Sequence, residues 1–347
     1  MSREDLVRAM LFLGLIALVY VAEAGIWFRY ILQRLKQFPN APRVLFGRFA
    51  LCIHAMALLG VLCAAYGFWI EPYWVEVKHI ELCCYKLNGG SFRLVQISDT
   101  HCDLKPRNET KVVEIINALN PDVIVFTGDS LNDLQALPRF QEMLHSLKAS
   151  KGKFAVRGNI DNHYFPTVDL FADTGFQVLN GEIQTVESPG NSITISGLSY
   201  GRQDSFRQLT GKLDRKALNL FLYHTPDLVD PSVKTPVDLY LAGHLHGGQV
   251  ALPLYGALIT MSPQGKKYES GRYDLFKPPL YGSSSVTPAF ARDIDSMAYV
   301  NRGIGMEGGI APRVRFCARP EITVFDIRSP EDYLKHHPYP DKKAMKP

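Results

Sequence analysis

Gly243-His244-Leu245-His246-Gly247-Gly248-Gln249 sets two imidazoles two residues apart, between glycines, at the end of an apolar strand-like run. Imidazole nitrogens presented in this way suit a metal site better than core packing. The stretch has company upstream. Asp99 and His101 follow Phe92–Ile97 (FRLVQI), and Gly128, Asp129 and Asp133 follow Val123–Phe126 (VIVF). Gly158 and Asn159 follow Phe154–Val156, and His224 follows Leu218–Tyr223 (LNLFLY). Five short apolar runs therefore each end in a residue with an oxygen or nitrogen ligand atom. Ligands of open sheets collect at such strand ends.

The order D-x-H, GDxxxD, GN, H, GHxH, running from Leu94 to Gln249, resembles the calcineurin-like metallophosphoesterase superfamily. His224 in HTPD, His246 in GHLHGGQ, and a C-terminal NRGIG followed by ARPEITVF are similar to its small membrane-anchored bacterial branch. That branch includes phosphodiesterases of unassigned substrate and the UDP-2,3-diacylglucosamine pyrophosphatases of lipid A synthesis. The resemblance implies an α/β fold, a four-layer α/β/β/α sandwich, behind an N-terminal membrane anchor of two apolar helices.

It also implies a dimetal centre. By the resemblance, one ion takes Asp99, His101, Asp129 and His246, and the other takes Asp129, Asn159, His224 and His244. Asp129 is the expected bridge, because a carboxylate has two oxygens to share between cations. The mixed imidazole, carboxylate and amide set suits Mn, Fe or Zn, with Mn favoured, over Ca, which prefers oxygen alone. A metal-bridging hydroxide attacking phosphorus in line is the expected chemistry. Asp133 is expected to orient a ligand from behind, and Asp103 and His79 to be surface residues.

One position departs from the pattern. Most superfamily members carry His after the GN asparagine to neutralise the leaving group, but here Ile160 follows Asn159. Ile160 cannot donate a proton, and His163, three residues on, is the candidate substitute. Candidate phosphate contacts are Arg157 and Arg302, with Arg202, Arg313 and Arg319 behind them, since all lie in or beside Gly- or Pro-containing loops. A structural ion pair with Glu321 or Asp326 accounts for Arg302 equally well.

The rest of the chain narrows the setting. At 347 residues it accommodates one sizeable α/β domain plus an appendage, and its net charge of +4 is spread without the aromatic interleaving of a nucleic-acid surface. No nucleic-acid or protein partner is expected. The six cysteines show neither zinc-ribbon spacing nor a disulfide framework, and Cys102 reads as a small buried filler.

Phe49–Ile70 is an uncharged apolar run long enough to cross a hydrocarbon core of ~30 Å as a helix. Ala9–Phe28 is a second such run, interrupted by Glu23, which is costly at membrane depth without a partner. Trp27, Trp69, Tyr73 and Trp74 fall near the ends of these runs, where amphipathic rings favour the interface. The chain is thus placed at the inner (cytoplasmic) membrane. Between the runs, Arg29, Arg34, Lys36, Arg43 and Arg48 with no acidic residue put the connector in the cytoplasm and the catalytic domain outside. A lipid A role needs the cytoplasmic side, which a hairpin dipping into one leaflet would allow, so the side stays open.

The division expected is an anchor over residues 1–72, a dimetal phosphoesterase domain over 73–330, and a loose tail over 331–347. Asn108–Leu119 reads as a helix capped by Asn108 and stopped by Asn120 and Pro121, and Leu134–Leu147 as a second. Strands are expected at Phe176–Leu179, Ile183–Val186 and Ser192–Leu198. The function expected is a membrane-associated dimetal phosphohydrolase acting on a membrane lipid or lipid-linked phosphate, with UDP-2,3-diacylglucosamine cleaved to lipid X and UMP as one substrate. Two alternatives stand beside it: an extracytoplasmic phosphodiesterase on an envelope or nucleotide substrate, and a non-catalytic scaffold that binds phosphate through metal.

Overall fold

The computed structural model describes residues 3–35, 45, 47–188, 190–275, 296–308 and 312–337. Connector residues 36–44, with Lys36 and Arg43, and residues 338–347 of the expected tail lie outside them. Helices α1 (Arg3–Arg34) and α2 (Arg48–Trp69) come first. Both are long and apolar enough to cross a membrane. They pair through Tyr20 Oη, which donates to the Ala57 carbonyl at 3.1 Å, and through His54 Nδ1, 2.7 Å from Glu23 Oε2. Glu23, the charged interruption in the first apolar run, thus has a side-chain partner on α2.

Two six-stranded mixed sheets follow among the described residues. The first contains β1 (Glu76–Cys83), β2 (Ser91–Ile97), β3 (Val123–Phe126), β4 (Gly152–Ala155) and β5 (Gln177–Val178). The second contains β6 (Ile183–Ser188), β7 (Asn191–Leu198), β8 (Leu218–Tyr223) and β9 (Leu239–Ala242). A hairpin of β10 (Ala251–Leu252) and β11 (Gly256–Ala257) stands apart from both. Strands β12 (Gly271–Asp274) and β13 (Met297–Val300) finish the second sheet. Strand β14 (Glu321–Arg328) returns to the first, inserted between β1 and β2. Its alternate side chains face opposite ways, so Phe325 and Ile327 join the core between the sheets while Ile322 and Val324 pack outside.

The facing sheets bury Leu94, Val125, Leu220, Leu241 and their neighbours between them. On the outer face of the first sheet lie α3 (Glu109–Leu119) and α4 (Leu137–Ser146), which bury Val112, Ile116, Phe140 and Leu144 against Val95, Ile124 and Phe126. Truncating a fully buried ring such as Phe126 to Ala costs about 3–5 kcal/mol. The second sheet is covered by α6 (Phe206–Thr210) and α7 (Val229–Ser232), with Phe206, Leu209 and Val229 on Phe221 and Tyr240. A short α5 (Asn159–Tyr164) lies after β4. The result is an α/β sandwich of mixed sheets.

Two expectations need correction. Asn108 occupies the N-cap position of α3, but its side chain makes no capping bond; its Nδ2 donates instead to the Pro72 carbonyl at 2.8 Å, tying α3 to the segment after α2. Next to the 72/73 boundary, Glu71 is buried and accepts the backbone N–H groups of Cys317 and Ala318, so the two parts are joined by contacts as well as by the chain. The tail does not begin loose at 331. Pro330–His336 forms helix α8, capped by Ser329, with Tyr333 buried.

Candidate dimetal site

Parallel strands deliver the candidate ligands. The loops after β2, β3 and β4 carry Asp99 and His101, Asp129, and Asn159, and those after β8 and β9 carry His224, His244 and His246. All seven therefore converge at the C-terminal ends of strands from both sheets, where open sheets bind ligands. Asp99, His101, Asp129, His244 and His246 each have a positive φ, between 38° and 73°. Non-glycine residues held in this left-handed region cost of order 1 kcal/mol each, and such strain collects at functional sites.

The side chains form two groups. Asp99, His101 and His246 offer one cluster of donor atoms, and Asp129, His224 and His244 the other, each within 4.8 Å. His101 Nε2 lies 3.1 Å from His246 Nε2, and His246 Nε2 lies 3.5 Å from Asp99 Oδ1. Asp129 Oδ2 is 3.1 Å from His224 Nε2 and 3.8 Å from His101 Nε2, so this one carboxylate oxygen reaches both groups. Asn159 Oδ1 is 2.9 Å from His224 Nε2 and joins the second. The site has room for no larger residue at Gly158, whose Cβ would overlap Asp129 Oδ1.

The electrostatics fit a site that holds cations. Burial alone would lower the His224 pKa, but the Asp129 carboxylate beside it raises it to about 10. His224 has an oxygen at each ring nitrogen, Thr127 O at 2.7 Å from Nδ1 and Asn159 Oδ1 at Nε2, which suits a protonated ring. Burial pushes Asp99 up to about 7, helped by Asp129. Burial lowers His101 to about 4 and His244 to about 3, so both are neutral donors. A proton on His224 thus stands where one of two divalent ions would sit, and imidazole, carboxylate and amide donors match borderline metals such as Mn, Fe and Zn.

Residues behind the ligands fix them. His101 Nδ1–H donates to Asn132 Oδ1 at 3.0 Å. Asp133, expected in that role, instead accepts from Gln135 N as the cap of the next turn, because its side chain points along the backbone. Asp161 is fully buried and accepts the N–H groups of Asp129, Ser130 and Gly158 at 2.8–3.0 Å, bracing two ligand loops. Burial and the nearby Asp129 raise its pKa. Arg315, also fully buried, places Nη2 3.3 Å from His246 Nδ1. Glu307, tethered by its N–H to Gln249 Oε1 at 2.6 Å, has a carboxyl raised by burial and by Asp129. The sequence reading missed Asn132, Asp161, Arg315 and Glu307. Only Asn132 carried a signal, its place inside GDxxxD.

The two arginines expected to contact phosphate have partners inside the protein. Arg157 donates to the carbonyls of Val168, Asp161 and Phe165, a clamp on α5 and the segment that follows it. Arg302 is held by Glu321 and Glu76, the structural ion pair foreseen as its other explanation. Both guanidiniums are thus engaged within the protein. Asp103 is no surface residue, since it is buried and paired with Arg107 and Arg313. His79 is exposed and Cys102 buried, as expected. His163 is exposed on α5, its ring edge-on to Tyr164 at 4.6 Å and one helical turn beyond Asn159.

This sandwich and its paired donor clusters define a dimetal phosphoesterase, and a family model for calcineurin-like phosphoesterases matches residues 92–248. The chain belongs to that family. It is 33% identical over 288 residues, 78% of this chain and 93% of the other, to the uncharacterized metallophosphoesterase YkuE of Bacillus subtilis. The UDP-2,3-diacylglucosamine pyrophosphatase LpxG of Chlamydia trachomatis is 26% identical, covering 72% of this chain and 92% of its own. The phosphodiesterase YaeI of Escherichia coli is likewise 26% identical, over 76% and 92%. The chain is a metal-dependent hydrolase of phosphodiester or pyrophosphate bonds.

Proposed function

We propose that α1 and α2 anchor this phosphoesterase in the inner (cytoplasmic) membrane, and that it cleaves the phosphodiester or pyrophosphate bond of a lipid-linked phosphate at the bilayer surface. One observation carries the reading. Arg315 N–H donates to the Gly67 carbonyl in the last turn of α2 at 2.9 Å, while its guanidinium reaches His246. A single residue therefore links the apolar helix to a candidate metal ligand, and the site lies at the level where that helix leaves the bilayer. A diacylated substrate is met most easily there.

Two divalent ions held by Asp99, His101, Asp129, Asn159, His224, His244 and His246 would polarise the phosphoryl oxygens and acidify a water. The chain's own residues do the remainder. Asp129 joins the two clusters, with Oδ1 fixed by Ile160 N–H at 2.9 Å. Asn132 and Thr127 hold His101 and His224 so that each Nε2 faces inward. His163, on the same helical face as Asn159, takes the part that Ile160 cannot, giving a proton to the leaving oxygen.

UDP-2,3-diacylglucosamine is the first substrate to try, because the related LpxG is named for that reaction and the substrate combines acyl chains with a pyrophosphate. The test is its hydrolysis by detergent-purified protein with added Mn, beside Asp129→Asn and a generic aryl phosphodiester. Release of UMP that the variant lacks supports the reading. Cleavage of the aryl ester alone directs the search to other lipid phosphates, and cleavage of neither contradicts it.

A further inference from the structure

At the tip of the β10–β11 hairpin, Pro253, Leu254 and Tyr255 are all exposed, and Leu254 is fully so, at 111%. Leu254 also has a φ of 65°, a left-handed conformation that a branched side chain adopts only with steric strain. A leucine that is both strained and bare gains nothing from its place in water. Yet the hairpin is firmly based. Lys266 Nζ donates to the carbonyls of Tyr255 and Ala257, and Glu269 accepts Ala257 N–H at 2.7 Å.

The base of the hairpin is tied to the end of α2. Ala251 N–H donates to the Phe316 carbonyl and Phe316 N–H to the Gln249 carbonyl, both at 2.8 Å. The Phe316 ring meets Tyr66 of α2 edge-on at 6.1 Å. Tyr66 lies within the last turn of α2, and the chain beyond it exposes Phe68, Trp69, Ile70, Tyr73 and Trp74. Cations back these rings. The Arg319 guanidinium sits 3.6 Å over Trp74, and Lys266 Nζ 3.7 Å over Tyr255. An exposed apolar tip, aromatic rings and cations stacked on those rings are the residue types that suit hydrocarbon, interface and anionic headgroup in a bilayer leaflet.

We propose that the hairpin tip is a second membrane contact, inserting Leu254 and Tyr255 into the leaflet where α2 ends. The proposal rests on the reading of α2 as membrane-embedded. It has a consequence for the site. A Cβ on Gly248 would lie 2.5 Å from Ala257 Cβ, so the return strand of the hairpin presses directly on the loop that carries His244 and His246. Docking the tip sets the dimetal loop on the headgroup layer and turns the site toward a phosphate held there.

The test uses the full chain reconstituted in vesicles of phosphatidylethanolamine and phosphatidylglycerol. A p-benzoylphenylalanine photo-crosslinker replaces Leu254 or, as control, exposed Arg215. Arg215 precedes the N-terminal end of β8, whereas His224 follows its C-terminal end. The expected result is lipid adducts at 254 and none at 215. Absence of lipid adducts at 254, or adducts there to protein alone, would overturn the proposal. Leu254→Asp is expected to slow hydrolysis of a vesicle-borne phosphodiester roughly tenfold, the scale of losing one buried leucine, and to leave a soluble aryl phosphodiester unaffected. Unchanged rates on the vesicle substrate would also overturn it. Crosslinking needs no turnover. Lipid adducts at 254 without hydrolysis of any membrane substrate would refute the lipid-phosphate reading and leave the docking intact; hydrolysis without adducts would do the reverse.

Discussion

Arg315 Nη2 lies 3.3 Å from His246 Nδ1, and the same guanidinium donates to the carbonyls of Arg302, Gly303, Gly305 and Ala318. This buried cation therefore organises the loop after β13 and the back of a candidate metal ligand together. Burial pushes its pKa down to about 9, which still leaves it charged near neutrality. Arg315→Ala would strand several buried carbonyls, and breaking such a network costs about 3–5 kcal/mol. Thermal melting should show the loss. A variant melting like the parent would contradict this role.

Asn132 should matter to the metals and Asp133 should not. Removing a partner that orients a ligating histidine costs about 10–100-fold in metal affinity. Asn132→Ala is expected to show that loss in competition with a chromogenic chelator, and Asp133→Ala to bind like the parent. The reverse order would restore Asp133 to the role expected of it from sequence.

Metal binding should release protons. In the metal-free protein His224 is raised to about 10 and Asp99 to about 7, so an entering cation must displace a proton from His224 throughout pH 6–8, and from Asp99 as well toward pH 6. His101 and His244, lowered to about 4 and 3, add no pH dependence in that window. Affinity should therefore climb as pH rises from 6 to 8. Without metal the sign for stability is opposite: the His224–Asp129 pair stabilises fully below the ordinary histidine pKa and is lost as pH rises through about 10. Calorimetry in buffers of different ionisation enthalpy reads the released protons directly, and heats that do not vary with buffer would refute the assignment.

His163 faces a kinetic test. His163→Ala should slow esters with basic leaving groups more than aryl esters, with metal content intact, because only a poor leaving group needs the proton. Equal rates on both would remove His163 from the mechanism.

Much of this was legible from the residues. Runs such as VIVF at 123–126 and LNLFLY at 218–223 matched their strands to the residue, because they are short, mostly apolar and bounded by polar loops. GHxH, GDxxxD and GN marked loops whose side chains meet, because a ligand at a strand end inherits its position from the sheet. What failed depended on where a flexible polar side chain finds its partner. Asn108 turned its side chain to Pro72 and Asp133 to its own backbone. Arg315 and Asp161 gave no local sign at all. Their burial comes from contacts with distant segments, and a lone charged residue normally reads as surface.

The most direct test of the dimetal site is to strip the purified protein with a chelator, add Mn stepwise, and follow hydrolysis of a phosphodiester against bound metal, beside Asp129→Asn. The site predicts no hydrolysis in the stripped protein, recovery as the second donor cluster fills, and none at any occupancy in Asp129→Asn. Hydrolysis that survives stripping, or that Asp129→Asn retains, would contradict it.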